Sequence, residues 1–343
     1  MMPNMKTSMI SGKTLFSTVI VTWNRKKDLS AAIDSVIMQK GVDKEIIVID
    51  NNSADGTDNL MAGYQQKYPF IKYLKMKENA GYIIARNKGV TMSKGEVVFM
   101  LDDDAEIHDE EAFLKIDSKF SETWADVITV KFINLYTKED EGFVYAHNHV
   151  EYHDKSFFAF GFNGGSTFFK KYIFDKIGGL DEKFFRQGEE TDFSYRMLKG
   201  GLFTFFFPGV IVYHKVNPYR QSRDTILYFS LRNTLIGIWK NLPLFEAVML
   251  SLVNLLLYIQ IAFRSRSFLF PMRALFSFLM AIPYIVRHRS PLNREELRSL
   301  FYLMTHPVSC REEAEGAATI GDYMAYYMRS KRSVKNRSER RVL

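Results

Sequence analysis

Short β-branched, apolar runs alternate with amphipathic stretches through the first hundred residues, and that alternation limits the fold class more than any single motif does. Residues 16–22 (FSTVIVT), 45–49 (EIIVI), 71–74 (IKYL) and 96–101 (EVVFML) read as strands. Between them, residues 28–39 place Leu29, Ile33, Val36 and Ile37 at helical spacing, and 57–67 and 82–90 also read as helices. Strands joined by helices pair in parallel and are buried on both faces, so they are apolar almost throughout. The expected fold is α/β, a mostly parallel twisted sheet flanked by helices. A strand at 126–132 extends it. After a looser Phe- and Tyr-rich stretch come a strand at 166–169, helices at 171–177 and 190–198, and an extended segment at 202–212. The Phe-rich residues 157–169 are noted as an apolar pocket of undecoded meaning.

From Tyr228 the texture changes to helices with long apolar runs. Residues 247–263 hold no charge, in a helix expected to begin at Asn241 with Pro243 in its first turn. Ser251, Asn254 and Tyr258 share one narrow stripe of it. Residues 274–286 form a second run containing Pro283, and Arg264, Arg266, Arg273, Arg287 and Arg289 flank the two. Crossing a bilayer takes about 20 apolar residues, so helices lying in the membrane interface are expected rather than a spanning hairpin. A buried core or oligomer contact is the plainer alternative. Of the net charge of +7, the last fifteen residues carry +6, seven basic residues against Glu339. Such a tail suits anionic lipid; nucleic acid is not expected. The single cysteine, Cys310, excludes an internal disulfide and suits a reducing compartment, and residues 1–14 lack the apolar core of a secretory signal.

Asp102, Asp103 and Asp104 follow directly on the strand at 96–101. Open α/β sheets bind ligands at the carboxyl ends of their strands, and three like charges there call for a cation. A hard divalent ion with oxygen ligands meets that need; an acidic turn ahead of a helix near Glu110 is the bland reading. Other phosphate-holding devices are absent or broken. The turn after the first strand, residues 22–27 (TWNRKK), has no glycine, which excludes the dinucleotide fingerprint. Gly12-Lys13-Thr14 lacks the earlier P-loop glycine and precedes its strand. Residues 50–56 (DNNSADG) place Ala54 where a calcium ligand belongs.

At this point the chain resembles the nucleotide-sugar-dependent glycosyltransferases of family 2, with the GT-A fold. The matching pieces are residues 21–25 (VTWNR), 48–57 (VIDNNSADGT), 78–81 (ENAG), 85–89 (ARNKG), 100–104 (MLDDD), 164–166 (GGS), 177–182 (IGGLDE), 188–196 (GEETDFSYR) and 213–214 (YH). The resemblance implies that Thr22, Asn24, Arg25, Asp50, Asn52, Asn79, Arg86, Asp102 and Asp103 bind the nucleotide sugar. It implies that Asp104 and His214 bind Mn2+ or Mg2+, which neutralises the departing diphosphate. Glu190, second acid of the pair Glu189-Glu190, becomes the general base, with Asp192 as the fallback. Family members usually carry Asp there, so Glu190 is one methylene longer, and the helix N-terminus is expected to stabilise its ionised form. Gly164 and Gly165 would let the sugar approach the backbone, and Asp181 and Glu189 would line the donor or acceptor pocket.

The reading is thus a metal-dependent, inverting glycosyltransferase on the cytoplasmic side of the membrane, peripheral or monotopic. It would move one sugar from a UDP- or dTDP-type donor to a glycan or lipid-linked acceptor. The domains would be a leader at 1–14, a GT-A catalytic domain at 15–225, a helical membrane-associating region at 226–328 and a basic tail at 329–343. A sugar nucleotidyltransferase would show a Gly- and Lys-rich first loop, and a non-catalytic scaffold would have no use for the retained acids. Sugar, base, linkage and oligomeric state have no signature in the sequence.

Overall fold

The computed structural model describes residues 13–140, 153–215 and 222–306, with 308 and 322. Residues 1–12 of the leader expected at 1–14, Cys310 and the basic tail at 329–343 lie outside the described residues.

β1 (Leu15–Thr22), β2 (Asp43–Asp50), β3 (Ile71–Lys75) and β4 (Val97–Asp102) pair in parallel in the order β3-β2-β1-β4, linked by α1 (Lys26–Ile37), α2 (Thr57–Lys67) and α3 (Tyr82–Met92). This half is as the alternation predicts. Beyond β4 the sheet is mixed. β5 (Ala105–Ile107), α4 (Ala112–Thr123), β6 (Val127–Asn134), β7 (Phe157–Ala159), β8 (Ser166–Lys170), α5 (Tyr172–Ile177), α6 (Glu189–Lys199) and β9 (Thr204–His214) follow in the chain. β8 runs antiparallel between β4 and β6, and β9 lies parallel to β6 and antiparallel to β5.

The phenylalanines 157–169 build core rather than a pocket. Neighbours along a strand face opposite sides of a sheet, so Phe168 joins Phe16, Phe99 and Phe113 on one face while Phe169 joins Phe162, Phe174 and Phe193 on the other. Phe193 meets Phe162 and Phe169 edge-on, at centroid distances of 5.8 and 6.0 Å. That contact seats α6 on the sheet.

The carboxyl-terminal helices are α7 (Arg223–Asn241), α8 (Leu244–Ser265), α9 (Leu269–Met280), α10 (Ile282–His288) and α11 (Arg294–Thr305). α8 starts at Leu244, not Asn241, because α7 runs to Asn241 and the chain turns at Leu242-Pro243. The run containing Pro283 is two helices, bent by 51° between α9 and α10. On the polar stripe of α8, Ser251 accepts from Trp239 Nε1 and Tyr258 donates to Ser230, both on α7, while Asn254 bonds its own helix. The opposite face leaves Leu252, Leu256 and Phe263 exposed. Arg289 turns inward to the carbonyls of Trp239 and Leu242, away from the flanking role expected of it.

Candidate active site

At the carboxyl ends of β1, β2 and β4 lies an open cleft of about 700 Å3, lined by Thr22, Trp23, Arg25, Asn51, Asn79, Gly81, Tyr82, Arg86, Asp102, Asp103, Asp104, Asn163, Gly165, Phe185, Arg186, Glu189, Glu190, His214 and Ile226 among others. That volume suits a ligand of nucleotide size.

β4 ends at Asp102, and Asp103-Asp104 form the turn into β5. β5 pairs with β9 so that Ala105 faces His214, and the Lys215 N–H donates to the Asp104 carbonyl at 2.8 Å. The register brings His214 Nε2 to 3.2 Å from Asp104 Oδ1, and the imidazole stacks on Phe132 with centroids 4.5 Å apart. One ligand atom each from Asp102, Asp104 and His214 lie within 4.8 Å of one another. Two carboxylates and an imidazole are a donor set that fits Mn2+ or Mg2+.

The protein also brings its own cations to this cluster. Arg25 bridges Asp103, at 2.9 Å, and Asp104, and Arg86 Nη2 stands 2.5 Å from Asp102. Burial works to raise the Asp104 pKa, but the His214 hydrogen bond and the Arg25 charge hold it below the usual carboxylate range. For Asp103 burial wins, pushing it up to about 7 despite Arg25.

Opposite lies the N-terminus of α6. Glu189 is buried and accepts from the Tyr82 hydroxyl. Glu190 Oε1 accepts the Gly164 N–H at 3.1 Å. Both glycines sit at close approaches to side-chain ends: a Cβ on Gly164 would stand 2.7 Å from Arg86 Nη1 and 2.9 Å from Glu190 Oε1, and one on Gly165 2.2 Å from Asp102 Oδ2. Burial and the charge of Glu189 push Glu190 up to about 8. The expectation that the helix terminus keeps Glu190 ionised is therefore corrected, since desolvation and like charge outweigh the helix dipole. Such a group can take a proton from a hydroxyl on one side of the cleft while acids on the other side hold cationic charge.

The sequence model of glycosyl transferase family 2 aligns with residues 17–178, a stretch that includes the aspartate cluster and the Gly164-Gly165 turn. Those residues are a family 2 glycosyltransferase domain. A cholesterol galactosyltransferase of Borreliella burgdorferi is 39% identical over 88 residues, 26% of this chain and 24% of that protein. The chain thus matches about a quarter of that relative's length. The crystal structure of S. aureus TarS 1-349 superposes with a TM-score of 0.57 at 14% identity, covering 94% of this chain and 91% of that one. GalNAc-T7, solved with UDP, GalNAc and Mn2+, gives a TM-score of 0.57 at 18% identity, over 68% of this chain and 49% of that one. The fold is GT-A, a mixed α/β sheet flanked by helices with an apolar helix in the carboxyl-terminal part.

Within the family 2 domain and its continuation, Thr22, Arg25, Asn79, Arg86, Asp102, Asp103, Asp104, Gly165, Glu189, Glu190 and His214 line the cleft. Asp102, expected at the ribose, also offers a carboxylate oxygen to the cluster with Asp104 and His214. Asp50 is fully buried and spent on structure: Oδ1 accepts from Ser53 N at 2.8 Å and Oδ2 from the Tyr73 hydroxyl at 2.7 Å. Asn24 holds the same rim, its Oδ1 accepting from Ala54 N at 2.8 Å, and Asn52 is an exposed turn residue with φ of +66°. Their neighbour Asn51 reaches the cleft instead. Gly164 donates its N–H to Glu190 and leaves room for the Arg86 and Glu190 side chains.

Asp192 cannot stand in for Glu190. It is fully buried, bonded to Arg196 at 3.0 Å, Asn241 at 2.9 Å and Lys240 at 2.8 Å. Asp181 also turns from the cleft, toward Lys240 and Tyr284. Sequence reasoning missed Tyr82, Asn163, Phe185, Arg186 and Ile226. Tyr82 and Asn163 adjoin motif glycines and were within reach; Phe185, Arg186 and Ile226 come from a turn and a helix that carry no motif.

Proposed function

We propose that this chain is an inverting glycosyltransferase that moves one sugar from a UDP- or dTDP-type donor to a glycan or lipid-linked acceptor. The observation that carries the reading is the facing of Glu190 and the Asp102–Asp104–His214 group across a single cleft. Glu190 takes the proton of the acceptor hydroxyl as that oxygen attacks the anomeric carbon. The bond from that carbon to the diphosphate breaks on the opposite face, which inverts the configuration. Arg86, stacked over Tyr82 at 4.9 Å, stands with its charge beside Asp102 and the glutamate pair, ready to hold phosphate or ribose oxygens. A divalent ion held by Asp102, Asp104 and His214 would supply Lewis-acid neutralisation of the leaving diphosphate. The Mn2+ and UDP of the GalNAc-T7 structure support such a donor and ion.

We further read α8 to α10 as a seat on the membrane surface, on the cytoplasmic side. α8 is 22 residues long and apolar enough to cross a bilayer. Its one-sided packing on α7, with polar contacts on that side and exposed Leu252, Leu256 and Phe263 on the other, favours lying in the interface. Arg264, Arg266, Arg273 and Arg287 are exposed around the apolar face, placed for anionic headgroups.

The deciding experiment incubates full-length protein and Mn2+ with UDP- and dTDP-sugars and lipid-linked or soluble glycan acceptors. Release of free nucleoside diphosphate together with an anomerically inverted product supports the reading. Release of pyrophosphate, or a product that retains configuration, would overturn it.

A further inference from the structure

We propose that Asn233, on α7, is a positioning residue for the acceptor side of the cleft: it locks the turn at residues 184–188 that leads into Glu189 and Glu190. The proposal rests on the transferase reading above and deepens it.

The turn has an unusual backbone. Phe185, Gln187 and Gly188 have φ of +61°, +60° and +87°. Side chains disfavour that region, so a turn with two such non-glycine residues keeps its shape only where its surroundings hold it. Asn233 does the holding. It is 1% exposed, and its Nδ2 faces the carbonyls of Phe184 at 3.0 Å, Arg186 at 2.6 Å and Gln187 at 2.6 Å. The orientation of the amide is fixed, because Oδ1 accepts from Arg232 Nη1 at 2.5 Å and a guanidinium can only donate. Arg232 is tethered in turn by Nε to Ser277 on α9, at 2.9 Å. The turn sits hard against this anchor: a Cβ on Gly188 would meet Asn233 Cβ at 3.0 Å.

The locked turn places Phe185 and Arg186 in the cleft lining and starts α6 where Glu190 reaches Gly164. From the other side the Gln187 N–H donates to the Tyr82 hydroxyl at 3.0 Å. The donor side, with Thr22, Asn51 and Asn79, is built on other elements. Asn233 therefore acts on acceptor binding and base placement and leaves nucleotide binding alone. Both Asn233 and the turn lie beyond residue 178, outside the stretch aligned with the family.

The test compares wild type with Asn233→Ala and Asn233→Asp in the full-length protein. Asp keeps the volume but turns an acceptor toward three carbonyls, so it separates hydrogen bonding from packing. Three quantities are read: amide hydrogen exchange at 184–190, affinity for UDP or dTDP (whichever wild type binds), and steady-state transfer. Both variants should exchange at least tenfold faster at 184–190 with the β1–β4 amides unchanged, and hold nucleotide within threefold of wild type. Their acceptor KM should rise, or kcat fall, at least tenfold. Unchanged exchange in the turn would overturn the proposal, as would nucleotide affinity falling in step with transfer or a collapse of protection across the whole domain. Should wild type transfer no sugar at all, the transferase reading fails, while the exchange result still decides the lock.

Discussion

His214 closes on Asp104, with Nε2 3.2 Å from Oδ1, because the short strand β5 carries the aspartate turn across to pair with β9. The imidazole thereby comes within 4.8 Å of ligand atoms on both Asp102 and Asp104, a group that could hold a metal ion. Asp104→Asn or His214→Ala should weaken Mn2+ binding at least tenfold by calorimetry, and excess chelator should stop transfer. Arg25 competes with an ion for Asp104, so Arg25→Ala should bind Mn2+ as well as or better than wild type. Full transfer in excess chelator would remove the metal from the scheme.

Glu190 lines the cleft, and Asp192 is fully buried away from it. Glu190→Gln should lower kcat by about 10²–10⁴-fold, the range of a general base. Nucleotide affinity should be retained. Asp192→Asn should act through stability instead, seen as a lowered Tm. Near-normal kcat in Glu190→Gln would end the base assignment.

The raised pKa of Glu190, at about 8, sets the pH dependence. The base form grows as pH rises, so kcat/KM should climb about tenfold per unit through neutrality and level off near that value. The linkage has the opposite sign: the folded state holds this proton more tightly than the unfolded state. Its stabilising contribution is full below the ordinary glutamate range and is lost as pH rises toward about 8. Glu190→Gln should therefore raise Tm more at pH 8 than at pH 5. A rate plateau beginning near pH 5 would contradict the assignment.

Lys240 is nearly buried and pairs with both Asp181 and Asp192, tying α7 to α6 and to the segment after α5. Removing one partner of a buried ion group leaves the other charges uncompensated, typically at about 3–5 kcal/mol. Lys240→Met should cost about that much in chemical denaturation. A change under about 1 kcal/mol would show that the carboxylates find other partners.

Phe263, Phe268, Leu269 and Met272 crowd the exposed corner between α8 and α9. That corner adjoins the start of α7, since Ser267 donates to Asp224 at 2.7 Å and Arg273 lies over Tyr228. Ile226, in the same turn of α7, lines the cleft. Replacing Phe263, Leu269 and Met272 by Gln should release the protein from vesicles rich in anionic lipid, while transfer to a soluble acceptor persists. Unchanged sedimentation with vesicles would exclude this corner as the seat.

The parallel half of the sheet was legible in the sequence because the apolar period of a strand and of a helix is local. Asp102 to Asp104 and Glu189-Glu190 were legible for a similar reason: a charge at the end of an apolar run marks the end of an element. The pieces of 21–25 and 188–196 added the family through order and spacing. What the residues alone left open was decided by contacts between distant segments. The pairing of β5 with β9 brought His214 to Asp104; Lys240 pairs with Asp181 and Asp192 away from the cleft; Asn233 bonds the turn at 184–188. A strand or helix announces itself in its own side chains. A buried charge or a left-handed turn is tolerated only by partners that the fold brings to it, so its meaning exists only once the chain is packed.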